Sequence, residues 1–470
     1  MTTVSDLSPT KADSPVLSRR FYITAWRWHF YAGLYVAPFM IMLAVTGLMM
    51  LWTATLFGRD GEKTYTVEPQ AAISSVSEQA GAATLEIPGQ IIQYIAPRTP
   101  EQAALFRISQ GDASYMVAVD PYRAEVLGHW DRRTGLYDLA DNIHGTLLIG
   151  TFGDRLIEIA AGFGIVLVVT GLYLWWPRDG RGLGSVLVPQ LSAKGRQLWK
   201  SLHLTIGFYA SPFLVVFLLS GLTWAGIWGE KFTQAWSTFP AEKWDNVPLS
   251  DKTHASMNHG GVKQVPWTLD QTPMPASGSQ AGVTGTPEGE PVNLDAIVTL
   301  ARSLDFDQRF QLTFPGDETA VWTIARDTMS NDSANPLDDR TVHVDQYTGR
   351  ILADVGFNDY GVAGKAMAAG VAFHEGDMGL WNLVLVNIVC LSVIFLSVSG
   401  FVMWWKRRPK GAARLMAPTV GEPGPLWKTG AFVMLGTALL FPLSGAILLA
   451  VLLLDFLVFR HIAPLKKALS

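Results

Sequence analysis

Residues 26–52 read WRWHFYAGLYVAPFMIMLAVTGLMMLW, 27 residues in which Arg27 is the only full charge. A helix that crosses a bilayer needs about 20 mostly apolar residues, so this stretch is expected to span. Four more stretches have the required length: about 156–176, 203–228, 380–405 and 429–458. The chain as a whole is 49% apolar and 16% charged, with a net charge of −4, which leans toward lipid and gives no basis for a nucleic-acid partner. The single cysteine, Cys390, lies inside an apolar run. A disulfide framework and cysteine-ligated zinc or iron–sulfur centres are therefore excluded, and any metal must be held by histidine, methionine or carboxylate. Met1 to Ser18 is polar and lacks the apolar core of a cleavable signal, so the first span is expected to remain as an anchor.

The opening stretch returns later in the chain. Trp28-His29, Gly33, Tyr35, Pro38-Phe39 and Thr46-Gly47 are answered by Leu202-His203, Gly207, Tyr209, Pro212-Phe213 and Ser220-Gly221, at a constant offset of 174 residues. The second and fourth spans also end alike, in Thr170-Gly171-Leu172-Tyr173-Leu174-Trp175-Trp176-Pro177-Arg178 and Ser399-Gly400-Phe401-Val402-Met403-Trp404-Trp405-Lys406-Arg407. Such self-similarity implies a duplicated unit of helix, polar domain and helix, with a fifth helix added.

Basic residues mark the cytoplasmic side of short loops. Arg19, Arg20 and Arg27 flank the first span; Arg178, Arg181, Lys194, Arg196 and Lys200 fill one short linker; Lys406, Arg407, Arg408, Lys410 and Arg414 open the other. All fall on one side if the N-terminus is cytoplasmic, although Arg460, Lys466 and Lys467 then lie outside. The expected arrangement is a cytoplasmic N-terminus (1–25), helices at 26–52, 144–176, 203–228, 374–405 and 429–458, cytoplasmic linkers at 177–200 and 406–428, and two outer domains at 56–140 and 229–370. Each outer segment reads as α+β. Tyr115–Asp120 alternates like a strand and Ala124–Leu127 returns; Thr341–Asp345, a turn at Gln346–Gly349 and Arg350–Ala353 repeat the design, after an amphipathic helix at Leu294–Leu304. Residues 251–290, rich in Pro, Gly, Ser and Thr, are expected to form an irregular loop.

Four histidines occupy equivalent places in this frame. His29 and His203 stand at the cytoplasmic ends of helices one and three, and His144 and His374 just before helices two and four. An ionisable residue at membrane depth is a functional hypothesis in its own right. Two facing imidazoles on neighbouring helices can supply both axial ligands of a haem iron, or they can be headgroup or backbone contacts. Glycines at helical spacing (Gly33, Gly47, Gly162, Gly164, Gly207, Gly221) fit a flat macrocycle and equally fit plain helix packing. Arg27 and Lys200 suit haem propionates or membrane anchoring; Glu158, inside the second span, suits proton relay or a backbone bond. Trp52, Trp175, Trp176, Trp404 and Trp405 fit an interfacial belt. A further cluster, His254, Met257 and His259, has ligand types that suit copper or iron, and Trp267 with Pro273, Met274, Pro275 and Ser277 reads as a docking strip. No Gly-rich nucleotide motif follows a strand, so the chain is not expected to bind nicotinamide or nucleotide.

Trp28-His29…Gly33…Pro38-Phe39…Thr46-Gly47, the Leu172–Arg178 ending, Phe373-His374-Glu375-Gly376 and Met403-Trp404-Trp405-Lys406-Arg407-Arg408-Pro409 together resemble the PepSY-associated transmembrane-helix family of iron-regulated membrane proteins, which includes inner-membrane ferrisiderophore reductases. The resemblance runs from about residue 20 to 410. It implies two periplasmic PepSY domains, b-type haem held by His29, His203, His144 and His374, and single-electron transfer to ferric chelates. The expected protein is a mixed multi-pass protein of a bacterial inner membrane. It would pass electrons from a quinol or a partner's reduced flavin, through two haems, to a periplasmic ferric siderophore. Because helix one rises about 1.5 Å per residue, the two pairs would stand nearly a bilayer apart. The competing reading is a non-enzymatic transporter, sensor, inhibitor or binding protein whose outer domains hold peptide, cell wall or chelate.

Overall fold

A computed structural model describes residues 14–132, 134–178, 182–233, 246–258, 265, 267–408, 415, 432, 435–436, 439–458 and 461–462. The chain divides into two compact units: one formed by the stretches up to Val45, Gly145–Glu230 and from Ile388 onward, the other by Thr46–His144 and Lys231–Asn387.

The first unit is helical. Its long elements are α1 (Ser14–Phe57, whose last turns enter the second unit), α4 (Thr151–Trp175), α6 (Gly195–Leu222) and α9 (Leu380–Arg407, whose first turns belong to the second unit). These four are long and apolar enough to cross a membrane. Pro38 and Pro212 lie inside α1 and α6, which a buried membrane helix tolerates because neighbours re-satisfy the freed carbonyls. A short helix, α5 (Gly184–Leu187), sits in the linker before α6. Of the fifth expected span, 429–458, the described part is α10 (Pro442–Leu457), 16 residues long. It packs tightly on α4: a Cβ on Gly162 would come within 2.1 Å of Ser444 Oγ, and that hydroxyl donates to the Ile159 carbonyl at 3.4 Å. Glu158 accepts from the Ile227 N–H at 3.2 Å, with Arg155 3.5 Å away.

The second unit is built on one sheet. Its strands are β1 (Gln90–Ile95), β2 (Ala104–Gln110), β3 (Ala113–Val119) and β4 (Val126–Asp131) from the first polar segment. From the second come β7 (Gln311–Thr313), β8 (Val321–Arg326), β9 (Arg340–Asp345) and β10 (Ile351–Gly356). They run in the order β10-β9-β8-β7-β1-β2-β3-β4, antiparallel throughout. The polar segments are thus not two separate sheets, as the sequence suggests. They join where Gln93, Tyr94 and Ile95 face Thr313, Leu312 and Gln311. The physical reason is that each segment supplies four strands with an open edge, and pairing β1 with β7 removes both inner edges. Alternation along a strand specifies its faces and says nothing about which edge meets which.

One face of the sheet is covered by α2 (Val76–Glu86), started by the Ser75/Glu78 capping box, and by α7 (Leu294–Ser303), capped by Asn293. Ala83, Ile297 and Ala301 bury there against Phe106, Val117 and Ile324. The 251–290 stretch is less irregular than expected: β5 (Leu249–Thr253) pairs with β6 (Pro273–Pro275). Met274 on β6 is buried against Val321 and Leu352, so it is core and not part of a docking strip. Two further helices, α3 (Leu136–Thr146) and α8 (Val362–Glu375), complete the unit.

An ion cluster ties the loop after α1 to the sheet. Arg309, 1% exposed, donates from Nη2 to Asp60 at 2.7 Å and from Nε to Asp332 at 2.8 Å, with Glu62 3.7 Å from Nη1. Burial alone would weaken its protonation, but the three carboxylates hold it above the ordinary arginine value. Removing the cation leaves buried negative charge with no counterpart. Arg309→Met is therefore expected to cost about 3–5 kcal/mol, read from urea unfolding of the purified protein in detergent; an unchanged midpoint would contradict this account.

Candidate functional site

The two paired histidines of the helical unit come from α1 and α6. The His29 and His203 ring centres stand 6.4 Å apart with their planes at 84°. Each ring is held from behind by a hydroxyl on a third and fourth helix. Thr170 Oγ1 of α4 lies 3.0 Å from His29 Nδ1, and Ser399 Oγ of α9 lies 2.7 Å from His203 Nδ1. Thr170 gives its single hydroxyl proton to the Val166 carbonyl at 2.6 Å, and Ser399 gives its own to Leu396 at 3.0 Å. With the hydroxyl proton so given, each oxygen accepts from its imidazole; in that arrangement Nδ1 carries the proton and Nε2 keeps a lone pair. That is the tautomer a metal ligand needs.

The second pair belongs to the sheet unit. His144 and His374 stand 6.4 Å apart at 89°. They lie in the last turns of α3 and α8, not at the beginnings of the spanning helices. Helices α4 and α9 start at Thr151 and Leu380, after breaks where Leu147, Leu148 and Gly150, and then Gly376 and Gly379, adopt positive φ. The boundaries at 144 and 374 are corrected accordingly, the interruption being a left-handed turn that hydropathy does not register. Thr46 Oγ1 lies 2.9 Å from His144 Nδ1, repeating the hydroxyl–imidazole contact.

Glycine follows each of these hydroxyl residues. A Cβ on Gly171 would stand 3.2 Å from His29 Cε1, one on Gly47 3.7 Å from His144 Cε1, and one on Gly400 4.0 Å from His203 Cε1. The dipeptides Thr46-Gly47, Thr170-Gly171 and Ser399-Gly400 thus act as one device: the hydroxyl aims the ring and the glycine leaves room for it. Sequence reading used these words only as markers of the repeat. Their recurrence beside each histidine's partner helix was the signal that could have revealed their role.

A cavity of about 480 Å³ opens between α1, α4, α6 and α9, with His29 and His203 in its wall. The volume lies within the ~300–1,000 Å³ range of small-molecule sites. Gly33, Gly164 and Gly207 flatten its sides, and Arg196, Lys200 and Arg407 are the cations that line it; no carboxylate does so among the described residues. The set suits a flat, apolar molecule with an anionic edge. An imidazole nitrogen binds a transition metal at about 2.0–2.1 Å and lies about 1.1 Å from its ring centre, so two rings gripping one ion from opposite sides have centres about 6.3 Å apart. Both pairs fit a bis-histidine haem by this measure. Arg27 lies over the Tyr31 ring, consistent with an anchoring role, and Trp175 is stacked on Phe208 at 4.0 Å.

The expected cluster of His254, Met257 and His259 is described in part. His259 lies outside the described residues, Met257 packs into an apolar cluster, and His254 meets His343 of β9 instead. His254 Nδ1 lies 2.9 Å from the Thr272 carbonyl, His343 Nδ1 3.0 Å from Thr323 Oγ1, and the two Nε2 atoms 2.8 Å apart. That spacing is a direct hydrogen bond, since a shared tetrahedral ion would hold the nitrogens about 3.3 Å apart. Among the described residues no group of three or more His, Cys, Asp or Glu is placed to hold a metal ion.

The sequence matches the family described as the PepSY-associated TM region over residues 26–407. No curated protein matches the chain.

Burial lowers the pKa of His254 from 6.5 to about 4 and that of His343 well below its ordinary value, because a second proton would sit in a dry core. The unfolded chain then binds protons that the folded pair refuses, so stability present above pH 6.5 is lost as pH falls toward about 4. Acidification through that window should lower the unfolding midpoint of the wild type more than that of a His254→Phe/His343→Phe double variant. Parallel pH profiles would refute the assignment.

Proposed function

From the chain's membership of the PepSY-associated TM family and its two matched imidazole pairs, we propose that this multi-pass membrane protein is a di-haem electron conduit reducing periplasmic ferric chelates. One observation carries the reading: two pairs of nearly perpendicular imidazoles, each with centres 6.4 Å apart, close to the about 6.3 Å expected of two rings that share one iron. A haem b held by each pair would supply reversible one-electron exchange without loss or gain of a ligand.

The chain's own residues do the rest. His29, His203, His144 and His374 present the ligating nitrogens; Thr170 and Ser399 fix the tautomer and the aim of the first two rings, and Thr46 that of His144. Apolar walls from α1, α4, α6 and α9 keep water from the His29–His203 cavity, and Arg196, Lys200 and Arg407 offer charge to a carboxylate edge. The donor in this reading is a quinol or the reduced flavin of a partner, on the side of the basic linkers. Ferric iron, once reduced, is held less tightly by hard oxygen chelators, so one electron suffices for release.

The optical spectrum of protein purified from haem-replete cells tests this. Reduced b-type bands are expected, halved in His144→Ala and in His374→Ala, and a colourless protein would overturn the proposal. Thr170→Val should weaken haem retention by about 10–100-fold, measured by transfer to apomyoglobin, because the imidazole loses its orienting partner.

A further inference from the structure

A second cavity, of about 450 Å³, lies within the sheet unit, between the end of α1, the start of α3 and the sheet face that carries Gln93, Met116 and Gln311. One wall is aromatic: Tyr65 and Trp130 stack at 6.0 Å with planes 19° apart, and a Cβ on Gly61 would come within 2.9 Å of Trp130. Part of the floor is an amide pair, Gln93 Nε2 donating to Gln311 Oε1 at 2.6 Å. Two residues of its wall lead toward the second imidazole pair. Tyr137, in its wall, precedes His144 by seven residues on α3, about 10 Å along the helix. Arg59, also in its wall, lies 3.7 Å from Glu375, the residue after His374.

The charged side chains around it leave no surplus of positive charge. Among the described residues that line it, Arg59 and Arg132 stand against Asp60, Asp131 and Asp138. Both arginines are engaged, Arg59 with Glu375 and Arg132 with Asp60, each at 3.7 Å, and His129 faces Glu86 at 3.1 Å. A multiply charged anion would shed its water here without meeting an uncommitted cation. Ferric iron wrapped by three singly charged bidentate groups, as in a tris-hydroxamate, carries no net charge; wrapped by three catecholates it is a trianion.

Resting on the conduit reading above, we propose that this cavity is the acceptor site and takes an uncharged ferric tris-chelate of the hydroxamate type in preference to a trianionic one. Gallium(III) matches ferric iron in charge and size and is not reduced, so its complexes report binding without electron flow. The test is equilibrium dialysis of the full-length protein in detergent against gallium(III) tris-acetohydroxamate and gallium(III) tris-catecholate. The neutral complex should bind saturably and at least tenfold more tightly than the trianion. Thr134, exposed at the rim, provides the variants. Thr134→Trp should weaken the neutral complex at least tenfold with the thermal midpoint retained as the folding control, and Thr134→Lys should shift preference toward the trianion. No binding of the neutral complex, equal binding of both, or wild-type affinity in Thr134→Trp would overturn the site. Haem-free protein that still binds the neutral complex would remove the conduit and keep the pocket; haem-loaded protein that binds neither complex would remove the pocket alone.

Discussion

A serine or threonine hydroxyl has one proton to give, and in a membrane helix the nearest carbonyl takes it. Thr170 and Ser399 both obey that constraint, bonding back to Val166 and Leu396. What remains on each oxygen is a lone pair, and it meets the Nδ1 of an imidazole from another helix. With the hydroxyl proton committed to the helix, Nδ1 of His29 and of His203 is the donor, and Nε2 is the nitrogen left with electrons to share. Around the rings, the glycines allow close approach and most of the cavity lining is apolar.

The sheet unit solves a different problem, that of holding two short helices in fixed places. His144 and His374 sit at the ends of α3 and α8, where left-handed turns stop each helix before the spanning segment begins. Gly376 shows how tight this is, since a Cβ there would lie 2.5 Å from Leu51 Cδ1. Beside it, Arg59 reaches both Glu375 and the Met329 carbonyl, and Asn331 donates to Asp377 at 3.0 Å. Burial first, and then neighbouring acids, push the Glu375 carboxyl well above its ordinary range. The loop of α8 is therefore pinned to the strand β8–β9 connection by a network that favours few net charges.

Much of this was legible from residues alone. Apolar length located four helices long enough to span, and the offset between His29 and His203 singled out two histidines whose ring centres stand 6.4 Å apart. Alternation located β3 and β9 and their return strands. Three things were not legible. Hydropathy ran the spans back to His144 and His374, since Leu147 and Leu148 are apolar whether they are helical or left-handed. The partner of His254 was hidden, because His343 is 89 residues away on a strand whose inward face could have packed anything. The hydroxyl partners were visible as repeated words but not as bonds, for a serine in a membrane helix is as often silent as not.

The eight strands also bear on how such a chain can change over generations. Three facing residue pairs, Gln93 with Thr313, Tyr94 with Leu312 and Ile95 with Gln311, stitch the strands of the two polar segments into a continuous sheet. Once that seam existed, neither half could be inherited by itself, because a descendant that lost one would present a bare strand edge to the solvent. Such a fragment would have to find a twin and rebuild the seam between two chains. The seam therefore works as a ratchet: with both inner edges spent on each other, change costs less on the two flanks than at the centre.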